Sequence, residues 1–330
     1  MPPFCATAGR RPSTGLYRVP MLPLRTRIFA FLQQRLMKSP LTAEEMIALR
    51  AQREGFRTGP ITALLFGRPA DVETKETYVD GRRYAVYTPR GLNGPAPVVI
   101  NFHGGGWCLG TPEQSAWVSS HVAARTGSIV VAPTYRLAPE HPFPAAVEDA
   151  WAAVEWVAKH AADLGGDPGR ISVMGDSAGG NLATVVALMA RDAGGPAIES
   201  QVLIYPAVEM YEKFPSEAAN ANGPVLTSTQ MSTFSHLYMG SSYGDESWQA
   251  SPLRATSHAD LPPTLIITAL HDPIRDHGTR YAEALRAAGT EVTLVDYDTA
   301  FHGFMSLPGV APAAKKALAG IAEFLRSLPR

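Results

Sequence analysis

The chain reads as an α/β protein, a parallel sheet covered by helices on both faces. Two observations lead there. From Asp71 onward, short β-branched or apolar runs alternate with longer stretches of helical periodicity. Those runs are apolar at successive positions rather than at every second one, as strands buried on both faces must be. With 330 residues, 45% of them hydrophobic and 18% charged, the chain can bury a full core without disulfide or metal staples.

Taken in order, the head up to about residue 24 is rich in Pro, Gly and Arg and is expected to be poorly ordered. Ile28, Phe29, Phe31, Leu32 and Leu36 then recur at helical spacing across Thr26–Met37, and Thr42-Ala43-Glu44-Glu45 is a capping box opening a second short helix. Strands are expected at 83–88, 98–102, 128–132, 171–174, 202–205, 265–270 and 292–297. Helices are expected near 113–125, 145–160, 178–192, 276–288 and 311–327. The alternation breaks between Pro206 and Leu261. Within that segment Thr227-Ser228-Thr229-Gln230 caps a helix whose Met231, Phe234 and Tyr238 share one face and which ends at Gly240. The expected organisation is therefore an N-terminal arm with lid helices (1–70), a core in two parts (71–206 and 261–330) and a lid insertion (207–260).

Twenty-nine Lys and Arg against thirty Asp and Glu give a net charge of −1, without the basic field that nucleic-acid binding needs. That balance hides a partition. Arg10, Arg11, Arg18, Arg25, Arg27, Arg35 and Lys38 precede Ala43 with no acid among them, and every Asp and Glu follows. Arg10-Arg11 suggests twin-arginine export, but no apolar segment follows it, and Met21 offers an alternative start. Cys5 and Cys108 are too few for a disulfide framework and lack zinc-site spacing, so a reducing, cytoplasmic location is expected and no metal or other cofactor is. No apolar run reaches the roughly eighteen residues of a membrane span.

The strongest chemical signal is Gly175-Asp176-Ser177-Ala178-Gly179-Gly180, directly after an expected strand and directly before an expected helix. That is the context of a nucleophile elbow, where small residues permit a tight turn and the serine projects from the strand end. A serine hydroxyl is a weak nucleophile and needs a base, which in turn needs an orienting acid. His302 lies just beyond the last strand and follows the serine, as the order Ser, acid, His requires. Asp272 lies just past the strand 265–270, on the same rim; Asp276, Asp296 and Asp298 are its rivals, and His271 and His277 read as structural. The third element, His103-Gly104-Gly105-Gly106-Trp107, frees backbone N–H groups to approach an oxyanion. No Gly-Lys-Ser/Thr and no dinucleotide fingerprint accompanies it, which removes nucleotide binding.

Together, HGGGW at 103–107, YRLAPEHPFPAA at 135–146, GDSAGGN at 175–181, HDPIRD at 271–276 and FHGF at 301–304 resemble the hormone-sensitive-lipase family of α/β-hydrolases, the bacterial family IV esterases, with a GDSAG serine motif. The resemblance runs from about Asp71 to the C-terminus. It implies a mostly parallel eight-stranded sheet, a triad of Ser177, Asp272 and His302, and an oxyanion hole from the N–H groups of Gly104, Gly105 and Ala178. Members often carry Glu where this chain has His277.

The expected reaction is acyl transfer from a small-molecule ester through an acyl-enzyme, falling in acid as the His302 imidazole is protonated. Trp107, Tyr211, Phe214, Met231, Tyr238, Trp248, Phe301 and Phe304 could line an apolar pocket or simply pack, and Cys108 reads as a packed hydrophobe. A lid made of the arm and the insertion would favour short or medium acyl chains. A lactonase, deacetylase, amidase or peptidase could use the same triad, and a non-catalytic small-molecule receptor shares the fold but lacks the histidine. The pattern leaves the oligomeric state, a homo-oligomer included, open.

Overall fold

The computed structural model describes residues 20–36, 40, 42–54 and 60–329; expectations that fall on the first nineteen residues and on Lys38 lie outside these. The arm contributes helices α1 (Leu24–Leu36), α2 (Ala43–Glu54) and α3 (Pro60–Phe66). After them come strands β1 (Glu73–Val79), β2 (Arg82–Thr88) and β3 (Ala96–Phe102), helix α4 (Ala116–Thr126) and β4 (Ile129–Pro133). Next follow α5 (Ala145–His160), β5 (Gly166–Asp176), α6 (Ala178–Ala193) and β6 (Ile198–Ile204). The insertion carries α7 (Pro215–Ala219) and α8 (Ser228–Met239), and the chain closes with β7 (Thr264–His271), α9 (Arg275–Ala287), β8 (Val292–Phe301) and α10 (Ala313–Ser327).

Among the described residues the strands form one eight-stranded sheet in the order β1-β2-β4-β3-β5-β6-β7-β8. Pairing is antiparallel from β1 to β4 and parallel from β4 to β8. Strand alternation divides the core: Val98, Ile100 and Phe102 of β3 join a cluster with α5, α6 and α9, whereas Val99 joins one with α4 and α10. Both faces are thus covered, and the parallel strands deliver their C-terminal ends to one rim, where ligands collect in folds of this kind.

Two features lie beyond the sequence reading. β1 was not anticipated, because Glu-Thr-Lys-Glu-Thr-Tyr-Val carries no apolar run; it is a largely exposed edge strand held by its ladder to β2. In α1 the buried stripe is not the apolar one. Thr26 is buried and donates from Oγ1 to Val310 O at 2.9 Å, and Phe29 packs against the core, while Ile28, Phe31 and Leu32 are exposed.

The arm and the insertion meet. Gln33 Oε1 accepts from Val225 N at 3.0 Å, and Gln34 Nε2 donates to Asn222 O. Both halves of the Thr227–Gln230 capping box form, starting α8 as its sequence indicates. The insertion's base is pinned by buried Glu209, whose carboxylate accepts the N–H groups of Met210 and Tyr211 and pairs with Arg254 at 2.7 Å.

Candidate active site

β5 ends at Asp176 and α6 begins at Ala178, so Ser177 alone makes the turn, with φ 57° and ψ −118°. A non-glycine residue held there carries strain on the order of 1–3 kcal/mol and persists only because its surroundings fix it. Ser177 N donates to Ile204 O at 2.9 Å, and Ser177 O accepts from Asn181 N at 3.0 Å. Gly179 is required by close approach: a Cβ there would collide with the Phe102 carbonyl oxygen.

At the ends of β7 and β8 stand Asp272 and His302. His302 Nδ1 lies 2.8 Å from Asp272 Oδ2, and its Nε2 lies 2.9 Å from Ser177 Oγ. Asp272 is fully buried, and its second oxygen accepts from Ile274 N at 2.8 Å, which fixes the carboxylate's rotation. Asn220 Nδ2 donates to the carbonyls of Leu270 and Asp272, tying the acid's loop to the insertion. The Tyr205 ring tilts against His302 at 4.9 Å between centroids. Such a line of hydroxyl, imidazole and carboxylate can move a proton off the serine while the buried carboxylate stabilises the imidazolium formed.

Two of the three rival acids are engaged elsewhere, and the third, Asp298, is exposed on β8. Asp276 Oδ2 accepts from Ser216 N, while Asp296 pairs with Arg275 at 2.6 Å and accepts from Thr268 Oγ1. His271 Nε2 meets Pro20 O at 2.8 Å, and His277 is buried edge-on to Phe214, its pKa pushed down to about 4 by burial.

The glycine loop after β3 differs from expectation. Gly104 N–H donates to Asp176 Oδ1 at 2.9 Å, so this donor is occupied within the protein. Gly105 and Gly106 N–H have no partner among the described residues, and neither does the N–H of Ala178 in the orphan first turn of α6. The free set is therefore Gly105, Gly106 and Ala178, not Gly104, Gly105 and Ala178. Asp176 is buried, and desolvation raises its pKa to about 6 even though the Gly104 N–H opposes the shift. Neighbouring His103 is kept neutral, with a pKa of about 4 from burial; it stacks on Tyr135 at 4.3 Å, and Tyr135 Oη donates to the His103 carbonyl at 2.8 Å. Sequence reasoning passed over Asp176 as the variable position of a serine motif, although its place beside the serine was the available signal. Asn220, far from any motif, gave none.

The aromatic residues separate. Trp107 and Tyr238 are buried and stack face to face at 4.3 Å, joining the glycine loop to α8. Phe234, one helical turn before Tyr238, presses its ring against Gly106, where a Cβ would collide with it. Val225 lies against Gly303, next to His302. Phe301 is buried with its ring 6.5 Å from that of Phe29, and Phe304 packs on Tyr205. Phe214 and Tyr211 do not join the triad. Phe214 meets His277 edge to face and lines a surface recess with Glu212, Leu253 and Arg280, and Tyr211 lies under Arg254. Cys108 is buried and free, its thiol pushed up to about 12 by burial. Among the described residues no group of three or more His, Cys, Asp or Glu is arranged to hold a metal ion, and no helix is long and apolar enough to cross a membrane.

A family profile described as the alpha/beta hydrolase fold matches residues 99–306. The chain is 47% identical over 223 residues to esterase LipI of Mycobacterium tuberculosis, covering 67% of this chain and 70% of that one. It is 44% identical over 248 residues to carboxylesterase NlhH of the same organism, covering 74% and 77%. Among solved structures, the hyperthermophilic esterase from the archaeon Pyrobaculum calidifontis superposes with a TM-score of 0.84 at 37% identity, over 93% of this chain and 98% of that one. A thermostable esterase from Pseudomonas putida ECU1011 gives 0.86 at 33% identity, over 94% and 98%.

Proposed function

This chain belongs to the hormone-sensitive-lipase type of α/β-hydrolases, and from that premise we propose that it hydrolyses short- to medium-chain carboxylic esters with Ser177 as nucleophile, His302 as base and Asp272 as orienting acid. It is a carboxylic ester hydrolase, as its named relatives are. The observation that carries the residue roles is the unbroken line Asp272–His302–Ser177 with links of 2.8 and 2.9 Å.

In the first half-reaction His302 Nε2 takes the Ser177 proton as Oγ bonds to the ester carbonyl carbon. The carbonyl oxygen, now negative, accepts from the N–H groups of Gly105, Gly106 and Ala178. When the tetrahedral intermediate collapses, His302 returns the proton to the leaving alkoxide, and the acyl group stays on Ser177. Water then gives its proton to His302, attacks the acyl carbon, and the acid departs as the serine recovers its proton.

The preference for shorter acyl chains rests on α8 and the loop before it. Phe234 against Gly106 and Val225 against Gly303 bring the insertion up to the glycine loop and to the histidine loop together. The arm (1–70) and the insertion (207–260) act in this reading as a lid on the core. The same reading takes the location to be cytoplasmic, consistent with a chain of two cysteines.

Rates on nitrophenyl esters from two to sixteen carbons test the reading, alongside lactones and amides. The expected maximum is at the short end, with Ser177→Ala and His302→Ala each losing on the order of 10⁴-fold or more in kcat. Retention of most hydrolysis by either variant refutes the residue roles, and a maximum at the long end refutes the chain-length preference.

A further inference from the structure

The outward side of α1 is more apolar than the side it buries. Thr26, Phe29 and Gln33 face the protein, whereas Leu24, Ile28, Phe31 and Leu32, with Met21 just before them, are between 47% and 75% exposed. Outside the arm, the exposed large hydrophobics among the described residues are Tyr78 and Tyr243, both of which carry a polar hydroxyl. A bare aliphatic and aromatic helix face of this kind marks an interaction surface.

Charge narrows the partner. Arg25, Arg27 and Arg35 are exposed on the same helix, with the Arg35 guanidinium 5.1 Å from the Phe31 ring, and no acid precedes Glu44 in the chain. A second copy on this face would bring together two α1 helices whose only charged side chains are arginines, because a two-fold interface sets each patch against itself. Apolar side chains rimmed by arginines on one helix fit an anionic, partly apolar plane.

We propose that the outer face of α1 docks the protein on an anionic lipid surface. Leu24, Ile28, Phe31 and Leu32 enter the boundary between headgroups and acyl chains, and Arg25, Arg27 and Arg35 meet the lipid phosphates. The inner face of the same helix bears on the triad's neighbours: Phe29 lies against Phe301, and Pro20 O, just ahead of the helix, holds His271. Docking therefore sets the active-site rim beside esters dissolved in the lipid. The docking stands on the arm alone and not on the esterase reading; only this consequence uses it.

The test is co-sedimentation of the full chain with vesicles of pure phosphatidylcholine and with vesicles containing phosphatidylglycerol, at low and high salt. Binding is expected only to the anionic vesicles and weakens with salt. Arg25→Glu/Arg27→Glu/Arg35→Glu is expected to bind on the order of 100-fold more weakly, and Ile28→Ser/Phe31→Ser/Leu32→Ser at least about tenfold more weakly. Both are expected to keep the wild-type melting temperature and the hydrolysis of a water-soluble ester. Arg27→Gln and Ile28→Ser singly, too mild to disturb an exposed helix face, carry the same comparison at smaller amplitude. No binding to anionic vesicles, equal binding by wild type and the variants, or a concentration-dependent dimer abolished by them overturns the proposal.

Discussion

Replacing Asp176 by Ala is the sharpest probe of how the glycine loop is held. The side chain is buried, and its Oδ1 takes the N–H of Gly104 at 2.9 Å, one residue before the two free donors. Removing the acceptor leaves a buried N–H unsatisfied, at a cost of about 1–3 kcal/mol. If the loop relaxes, Gly105 and Gly106 move off the oxyanion; losing one donor outright costs about 3–4 kcal/mol, which sets the ceiling. At about 1.4 kcal/mol per tenfold, kcat is expected to fall about 10- to 100-fold with KM little changed. Asp176→Asn keeps an acceptor of the same shape and is expected to recover most of that loss. The assay is kcat and KM on a soluble nitrophenyl ester beside a thermal melt of each variant. An Ala variant with wild-type kcat, or an Asn variant as impaired as Ala, would show that the hydrogen bond to Gly104 does not position the loop.

Stability in acid follows from the buried ionisable groups. His103 and His277 titrate near 4 in the folded chain against 6.5 for a free imidazole, so the unfolded chain binds their protons first and each erodes stability as pH falls from about 6.5 to 4. Asp176, raised to about 6, binds its proton first in the folded chain and offsets one histidine over that range. Denaturant titrations are expected to show a net loss of about 1 kcal/mol per pH unit between pH 6 and 4, and a nearly flat profile for His277→Leu; an unchanged slope in that variant would contradict the assignment. Gly106→Ala places a methyl against the Phe234 ring at a φ of 60° and is expected to cut kcat/KM at least about tenfold, with recovery in Gly106→Ala/Phe234→Ala; no recovery would mean that backbone strain alone is responsible. Trp107→Ala removes one ring of the Trp107–Tyr238 stack and is expected to cost about 3–5 kcal/mol in denaturant unfolding, a loss below about 1 kcal/mol showing that α8 does not depend on the stack.

Much of this protein is decided locally in the chain. Uninterrupted apolar runs such as 98–102 and 171–174 must be strands covered on both faces, and both lie inside observed strands. The expected helix at 145–160 is the observed α5 to the residue, because its apolar periodicity is long and regular. Ser177, Asp272 and His302 were legible because a parallel sheet delivers strand ends to a common rim, so position just past a strand already implies convergence. Other features depend on partners remote in sequence. Whether Gly104 N–H is free depends on Asp176, 72 residues away, and the sequence alone does not say which of three consecutive glycines turns its N–H outward. Tyr211 and Phe214 are aromatic residues in the right segment, yet packing against Arg254 and His277 carries them away from the triad. Likewise α1 has an apolar periodicity, but hydrogen bonds that Thr26 donates and Gln33 accepts, with partners about 190 to 280 positions away, set which side faces inward. Periodicity fixes that a helix forms; the partner surface, known only once the chain has folded, fixes which side it buries.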